Sequence, residues 1–274
     1  MSDHIYPVKR QNKDKRDVRA NVSRLITIPT KVDLRNDAPE VFNQLELGSC
    51  SAQVGVATMM MLESKAKNVS IDQIETLSRL FLYYQERLME GNVNEDSGAT
   101  MRTICKTLSK VGVCEEKLWP YITNKFTEIP SQEAMNNANN HKVRSYKSLT
   151  SLNEIRQYIA VKNLPVMIGM EIYPSFESDE VAKTGLVSLP KKGEENLGGH
   201  AVLVVGYDDN FTFSNNNQCK VLSKIVRFVK GNRNKGALIV RNSWSDLWGD
   251  KGYFYLPYEF ILKNFAFDFW TMEL

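Results

Sequence analysis

Gln44-Leu45-Glu46-Leu47-Gly48-Ser49-Cys50 runs directly into Ser51-Ala52-Gln53-Val54 and on to Lys67 without a proline. Gly48-Ser49 reads as a turn and cap pair. Val54, Ala57, Met61 and Leu62 then recur at helical spacing, with Glu63, Lys65 and Lys67 at the far end. The stretch predicts a long, mostly buried helix with Cys50 in its first turn. A thiol there feels the positive end of the helix dipole and free backbone N–H groups, both of which favour thiolate, the nucleophilic form. Position alone does not assign its role, because cysteine is also a common core residue.

Upstream, Val32-Asp33-Leu34-Arg35 and Val41-Phe42-Asn43-Gln44 read as an extended lead-in. Residues 1–30 are polar and charged and end in the apolar patch Leu25–Pro29; they read as a basic extension outside the folded body, or as a short pro-segment. The first 24 residues hold seven of the 35 Lys/Arg but three of the 32 Asp/Glu, so the net charge of +3 belongs to this tail and the remainder is balanced. A basic tail with no accompanying nucleic-acid-binding motif reads as a solvated terminus.

Downstream, helical patterns cover about Ser78–Met89, Ala99–Lys110 and Leu152–Val161, with residues 115–150 otherwise irregular. After Pro165 the pattern turns to strands: Val166–Ile172, Ala201–Tyr207, Lys224–Lys230, Ala237–Arg241 and Gly252–Leu256. Turn residues separate them. The expectation is an α+β chain in two subdomains, helical over about 45–140 and β-rich over about 141–274, with a ligand cleft between them.

Two residues in the second half stand out. His200 opens the apolar strand Ala201–Val205 after Gly198-Gly199, which places an imidazole at a strand start. It reads equally as a half-buried histidine with a satisfied hydrogen bond. Asn242 ends a strand and precedes Trp244 and Trp248. An amide carbonyl accepting from the imidazole would fix its tautomer, and an indole would shield that bond from water.

Taken together, these segments resemble the papain family of cysteine peptidases. Gln44 to Cys50 is similar to the family's nucleophile segment. Gly199-His200-Ala201-Val202 with Val205-Gly206-Tyr207 is similar to its histidine strand, and Asn242-Ser243-Trp244 with Trp248-Gly249-Asp250-Lys251-Gly252-Tyr253 to its asparagine segment. Asp96-Ser97-Gly98 and Trp119-Pro120-Tyr121 add to the match, which spans about Val32 to Leu256. The resemblance implies a helical left subdomain and an antiparallel β-barrel-like right subdomain within a peptidase domain over 31–274. It implies Cys50 as nucleophile, His200 as base then acid, Asn242 orienting His200, and Gln44 in the oxyanion hole, with Cys50 and His200 resting as thiolate and imidazolium. Ser97, Gly98, Gly199 and Trp244 would meet substrate, and Gly169 and Ala201 would line a roomy apolar pocket for the residue two before the cut. Neither metal nor organic cofactor is required for such chemistry.

The chain also departs from the family. Leu47 replaces the cysteine of the family's nucleophile-adjacent disulfide, Ser51 the aromatic residue after the nucleophile, and Ser97 the first of two glycines. About 30 residues separate Asp209 from the strand Ala237–Arg241 and carry several Lys and Arg; they read as an inserted hairpin over about 210–236. The family's long helical pro-segment has no counterpart in residues 1–30, which could instead lie in the cleft as a short inhibitory segment.

Four cysteines without a CxxC pair, and three histidines, argue against a disulfide scaffold or a zinc site. No apolar run reaches membrane-spanning length, and no signal-peptide pattern opens the chain. The expected setting is a reducing intracellular compartment or a virus particle, or a lysosome-like or secreted one if a leader has been trimmed; the expected state is a monomer acting on peptide or protein substrates. Other readings are a transamidase or ligase using the same acyl-enzyme, a catalytically silent binding module, and a nucleic-acid-associated protein led by the tail.

Overall fold

The computed structural model describes residues 4–22, 27–213 and 235–274. Its centre is helix α1, Cys50–Lys67, in which every residue from Cys50 to Ser64 is buried. A helix apolar on all sides needs cover on all sides. Helices α2 (Arg79–Glu90) and α3 (Met101–Lys110) supply it on one side and the β-sheet on the other. Gly55 makes the close approach possible: a Cβ there would sit 2.8 Å from side-chain atoms of both Ile104 and Leu82. Glycine within a helix costs about 1 kcal/mol relative to alanine, which the burial of α1's Val, Met and Leu side chains at about 1.5–3 kcal/mol each outweighs. Ser78 and Thr100 cap α2 and α3 by accepting from Phe81 N–H and Thr103 N–H. Ser49 does not cap α1, because its hydroxyl bonds Tyr121 Oη at 2.6 Å and accepts from Gln53 Nε2.

The strands are β1 (Lys31–Asp33), β2 (Ser145–Leu149), β3 (Val166–Ile172), β4 (Gly198–Thr212), β5 (Lys235–Arg241), β6 (Tyr253–Pro257) and β7 (Ala266–Glu273). They form one antiparallel sheet in the order β2-β7-β3-β4-β5-β6, with β1 also paired to β4. The architecture is α+β. The barrel expected from the resemblance is corrected here: the sheet is open, with β2 and β6 at its two ends. Closure is not needed to protect those edges. Arg19 bridges Ser148 along β2, and Leu186 bridges Tyr255 along β6.

Strand β4 is longer than the expected Ala201–Tyr207. Gly198 and Gly199 pair with Ile172 and Glu171 of β3 at one end, and Thr212 pairs with Lys235 at the other. The rest of the expected insert, including the strand Lys224–Lys230, lies outside the described residues. Strands β2 and β7 fall in stretches that the strand pattern did not single out. Both are held by long-range pairing, β7 lying between β2 and β3.

The largest difference concerns the N-terminal extension, which does not stand off the body. Gly199 N–H donates to Tyr6 O at 3.1 Å and Val8 N–H to Gly199 O at 3.0 Å; further on, Ala20 N–H donates to Ser148 O and Ser148 N–H to Val18 O. Val8 is only 4% exposed. Backbone pairing, which leaves no strand pattern in the sequence, helps to hold this strap in place.

Candidate active site

The structure brings the three segments together. His200 is the third residue of β4 and pairs across to Met170. Its Nε2 lies 2.8 Å from Asn242 Oδ1, which also accepts from Ser243 N–H at 2.9 Å. With the amide carbonyl as acceptor, Nε2 carries the proton and Nδ1 is the basic atom. Among the described residues Nδ1 has no hydrogen-bond partner. The indole of Trp244 stacks on the imidazole, 5.2 Å between centroids at 28°, and keeps water from the His200–Asn242 bond.

Cys50, the first residue of α1, is fully buried. Burial pushes its thiol up to about 12, while the backbone N–H groups of Ala201 and Ser51 pull the other way; the Ala201 contact places the sulfur against the residue after His200. Burial likewise pulls His200 down to about 4, opposed by the bond to Asn242 and reinforced by His4. Both shifts favour the neutral forms, thiol and imidazole, while the strap is in place. The expected thiolate–imidazolium pair needs the water that this arrangement excludes.

Gln44 is buried beside them. Its backbone N–H donates to Ser243 O, its Oε1 accepts from Ser243 Oγ at 2.6 Å, and its Nε2 donates to Leu47 O at 3.0 Å. One N–H of the amide therefore remains for a ligand. Tyr121 Oη donates to Gln44 O at 2.8 Å, which gives the aromatic of Trp119-Pro120-Tyr121 a positioning role that the sequence did not disclose.

The positions expected to meet substrate meet the chain's own strap. Gly98, at φ +64°, is so close to Pro7 that a Cβ would fall 2.5 Å from Pro7 Cγ; at Gly199 a Cβ would fall 2.0 Å from Val8 O. His4 stacks on Trp244 at 4.4 Å and 7°. Ser97 is half-buried beside Gly98, its Oγ 3.4 Å from Gly98 O. Gly169 and Ala201 are register partners in β3 and β4, and the space on the Cβ side of Gly169 is occupied. A Cβ on Gly169 would lie 2.4 Å from the ring of Phe267, and the same ring backs Gly199. Phe267 lies beyond the last recognisable motif, and only the strand pairing of β7 reveals it.

Asp96 is a second residue that the sequence quoted without a role. Its carboxylate accepts from Gly48 N–H at 3.0 and 3.1 Å and from Tyr83 Oη, and Tyr83 Oη accepts from Gly98 N–H at 3.1 Å. One carboxylate thus ties the loop before the nucleophile to the glycine expected to pair with substrate.

Side-chain contacts also anchor the strap. Tyr6 Oη donates to Glu177 at 2.5 Å, Gln11 N–H to Asp268 at 2.7 Å, and Arg102 grips Asp17 through Nε at 2.8 Å and Nη2 at 2.5 Å. Arg10 lies over the Phe267 ring at 4.8 Å. Cys50, Cys105 and Cys114 are free thiols. Among the described residues no group of three or more His, Cys, Asp or Glu is arranged to hold a metal ion, and no helix is long and apolar enough to cross a membrane.

A buried cysteine at a helix start, an imidazole held by an asparagine under an indole, and a glutamine amide beside them define a papain-type thiol hydrolase. The chain belongs to the papain family of cysteine proteases, whose family model matches residues 28–261. It is 33% identical over 262 residues to an uncharacterised peptidase C1-like protein of Acanthamoeba polyphaga mimivirus, covering 92% of this chain and 73% of that one. It is 30% identical over 263 residues to Peptidase 1 of Psoroptes ovis, covering 93% and 69%. Among solved structures, xylellain, a cysteine protease from Xylella fastidiosa, superposes with a TM-score of 0.82 at 30% identity, covering 99% and 97% of the two chains. Digestive procathepsin L 3 of Tenebrio molitor, at 19% identity and TM-score 0.67 over 94% and 75%, shares the fold.

Proposed function

We propose that this chain hydrolyses peptide bonds through a Cys50 thioester, and that residues 4–22 hold it silent until they leave the cleft. The observation that carries the reading is the His200–Asn242 bond of 2.8 Å under Trp244, which leaves Nδ1 as the free basic atom next to the helix that begins with Cys50.

With the strap displaced, water returns and the thiolate–imidazolium pair forms. The thiolate attacks the substrate carbonyl carbon. The resulting oxyanion takes hydrogen bonds from the free Gln44 amide N–H and the Cys50 backbone N–H; one such preorganised donor is worth about 3 kcal/mol of barrier. His200 gives the Nδ1 proton to the leaving amine, and the carbon–nitrogen bond breaks to leave an acyl thioester. His200 then takes a proton from water, the hydroxide attacks the thioester, and the acid and the Cys50 thiol are released. Asn242 keeps Nε2 protonated and in plane throughout. The strap supports silence in two ways: it fills the backbone positions at Gly98 and Gly199, and it dries the dyad, whose shifts favour the neutral forms.

An epoxide or vinyl-sulfone thiol trap tests the reading. After proteolytic release of the strap, stoichiometric labelling of Cys50, lost in His200→Ala, is expected; labelling that prefers Cys105 or Cys114 would overturn it.

A further inference from the structure

Behind the nucleophile lies a buried acid that the chemistry above does not use. Glu86, on α2, has no exposed surface. Its Oε2 accepts from Ser51 Oγ at 2.6 Å, and Ser51 directly follows Cys50 in the first turn of α1. Its Oε1 has no hydrogen-bond partner among the described residues. The neighbouring cation does not pair with it: Arg87 turns its guanidinium to the carbonyls of Val93, Glu95 and Phe126. The charged and titratable groups bearing on this site are Arg87 and Glu90 of α2, Cys50 of α1 and Cys105 of α3.

A carboxylate in this position would have one bare oxygen and no counter-ion in a dry core. A neutral acid leaves only an unpaired hydroxyl there, a much smaller cost. Burial accordingly pushes the group up to about 8, against the Ser51 hydrogen bond. The charge state matters to the nucleophile, because a Glu86 anion raises the Cys50 thiol.

We propose that Glu86 is a positioning residue for the nucleophile: a neutral carboxylic acid that ties Ser51, and with it the first turn of α1, and whose ionisation opposes the Cys50 thiolate. The aromatic side chain that the family places after the nucleophile is replaced here by Ser51 and its acid partner. The proposal rests on Cys50 being the reactive thiol, and its test separates the two claims.

The full chain carrying 13C-carboxyl glutamate is examined by infrared spectroscopy across pH. A protonated-acid carbonyl band is expected at neutral pH, lost on raising the pH through about 8 and absent from Glu86→Gln. In parallel, iodoacetamide alkylation at Cys50 is followed by mass spectrometry in the full chain. At about pH 9, Glu86→Gln is expected to alkylate about tenfold faster than the parent, the change that goes with one pK unit. A purely structural Glu86 would leave the alkylation rate at Cys50 unchanged. Ser51→Ala, which frees the acid from its tie, is expected to lower kcat with little change in KM once the strap is released.

No acid band at neutral pH, or superimposable alkylation profiles for the parent and Glu86→Gln, would overturn the proposal. If Glu86→Gln does not fold, Glu86→Asp removes the labelled carboxyl and assigns the band. Alkylation confined to Cys105 or Cys114 with the acid band present would overturn Cys50 as nucleophile and leave the buried acid standing.

Discussion

Ser243 Oγ donates a 2.6 Å hydrogen bond to Gln44 Oε1, joining residues 199 positions apart. That bond fixes which way the Gln44 amide faces. Its carbonyl is occupied by Ser243 and one N–H by Leu47 O, so the remaining N–H has a defined direction before any substrate arrives. Donors held in advance stabilise an oxyanion more than donors that must reorient. Ser243→Ala removes the carbonyl's partner and lets the amide turn. In strap-released enzyme, kcat is expected to fall about fivefold, roughly 1 kcal/mol, with KM nearly unchanged. A rise in KM at constant kcat would show instead that Ser243 supports substrate binding.

Backbone contact at Gly199 makes a distinct prediction about the strap. Gly199→Ala places a Cβ at the 2.0 Å position now facing Val8 O, and the obstacle is backbone. Gly199 pairs within the sheet with Glu171, where alanine fits an extended strand. Displacing the strap therefore costs less than distorting β4. The variant is expected to lose protection of residues 4–22 from limited proteolysis and to alkylate at Cys50 at least about tenfold faster than the parent, an opening of roughly 1.4 kcal/mol. Unchanged proteolysis would mean that the strap is held mainly by its Asp17–Arg102 anchor.

The proposed catalytic centre was more legible in the sequence than its cover. Cys50, His200 and Asn242 each sit in a short string whose local chemistry is readable, a helix start, an apolar strand after two glycines and a strand end beside tryptophans, whereas Gln44 came only from the family resemblance. The strap has no such signature, because Tyr6 and Val8 are held through backbone groups of Gly199 and any residue type can make those bonds. The open sheet was equally hidden. Whether β2 and β6 meet depends on cover from Arg19 and Leu186, not on any strand's own pattern. Phe267 shows the same limit: Gly169 and Ala201 are small, but the space beside them is set by a ring that arrives 66 or more residues later in the chain, on β7.

Asp268 sits under the strap and titrates in an unusual range. Burial pushes its carboxyl up to about 6, against the Gln11 N–H bond and the charges of Arg10 and Arg102. A raised carboxyl means that the folded, covered chain binds this proton more tightly than the unfolded chain does. Its favourable contribution is complete below the ordinary value of 3.8 and is lost as pH rises through about 6. Asp268→Asn keeps an acceptor for Gln11 and removes the ionisation. Thermal unfolding is expected to show the variant more stable than the parent at pH 7.5, by about 2 °C, with the difference shrinking towards pH 4. A constant difference across that range would show that the effect is not ionisation.

Phe267 makes a prediction about substrate choice. Its ring stands 2.4 Å from where a Gly169 Cβ would be and 3.3 Å from where a Gly199 Cβ would be, so it fills the space behind both glycines and leaves a shallow floor. Phe267→Ala removes that ring. The vacated volume is next to β3 and β4, and a substrate side chain can occupy it. In strap-released enzyme, peptides with a large apolar residue two positions before the cut are expected to gain about tenfold in kcat/KM relative to those with a small one. A pocket gain of that size lies within the 1–3 kcal/mol that one or two methylenes contribute to discrimination. Deleting a core phenyl ring also costs about 3–5 kcal/mol of stability, so the comparison is made between substrates on one preparation, where a folding loss cancels. Equal gains or losses for small and large side chains would place the specificity-setting contact elsewhere than Phe267.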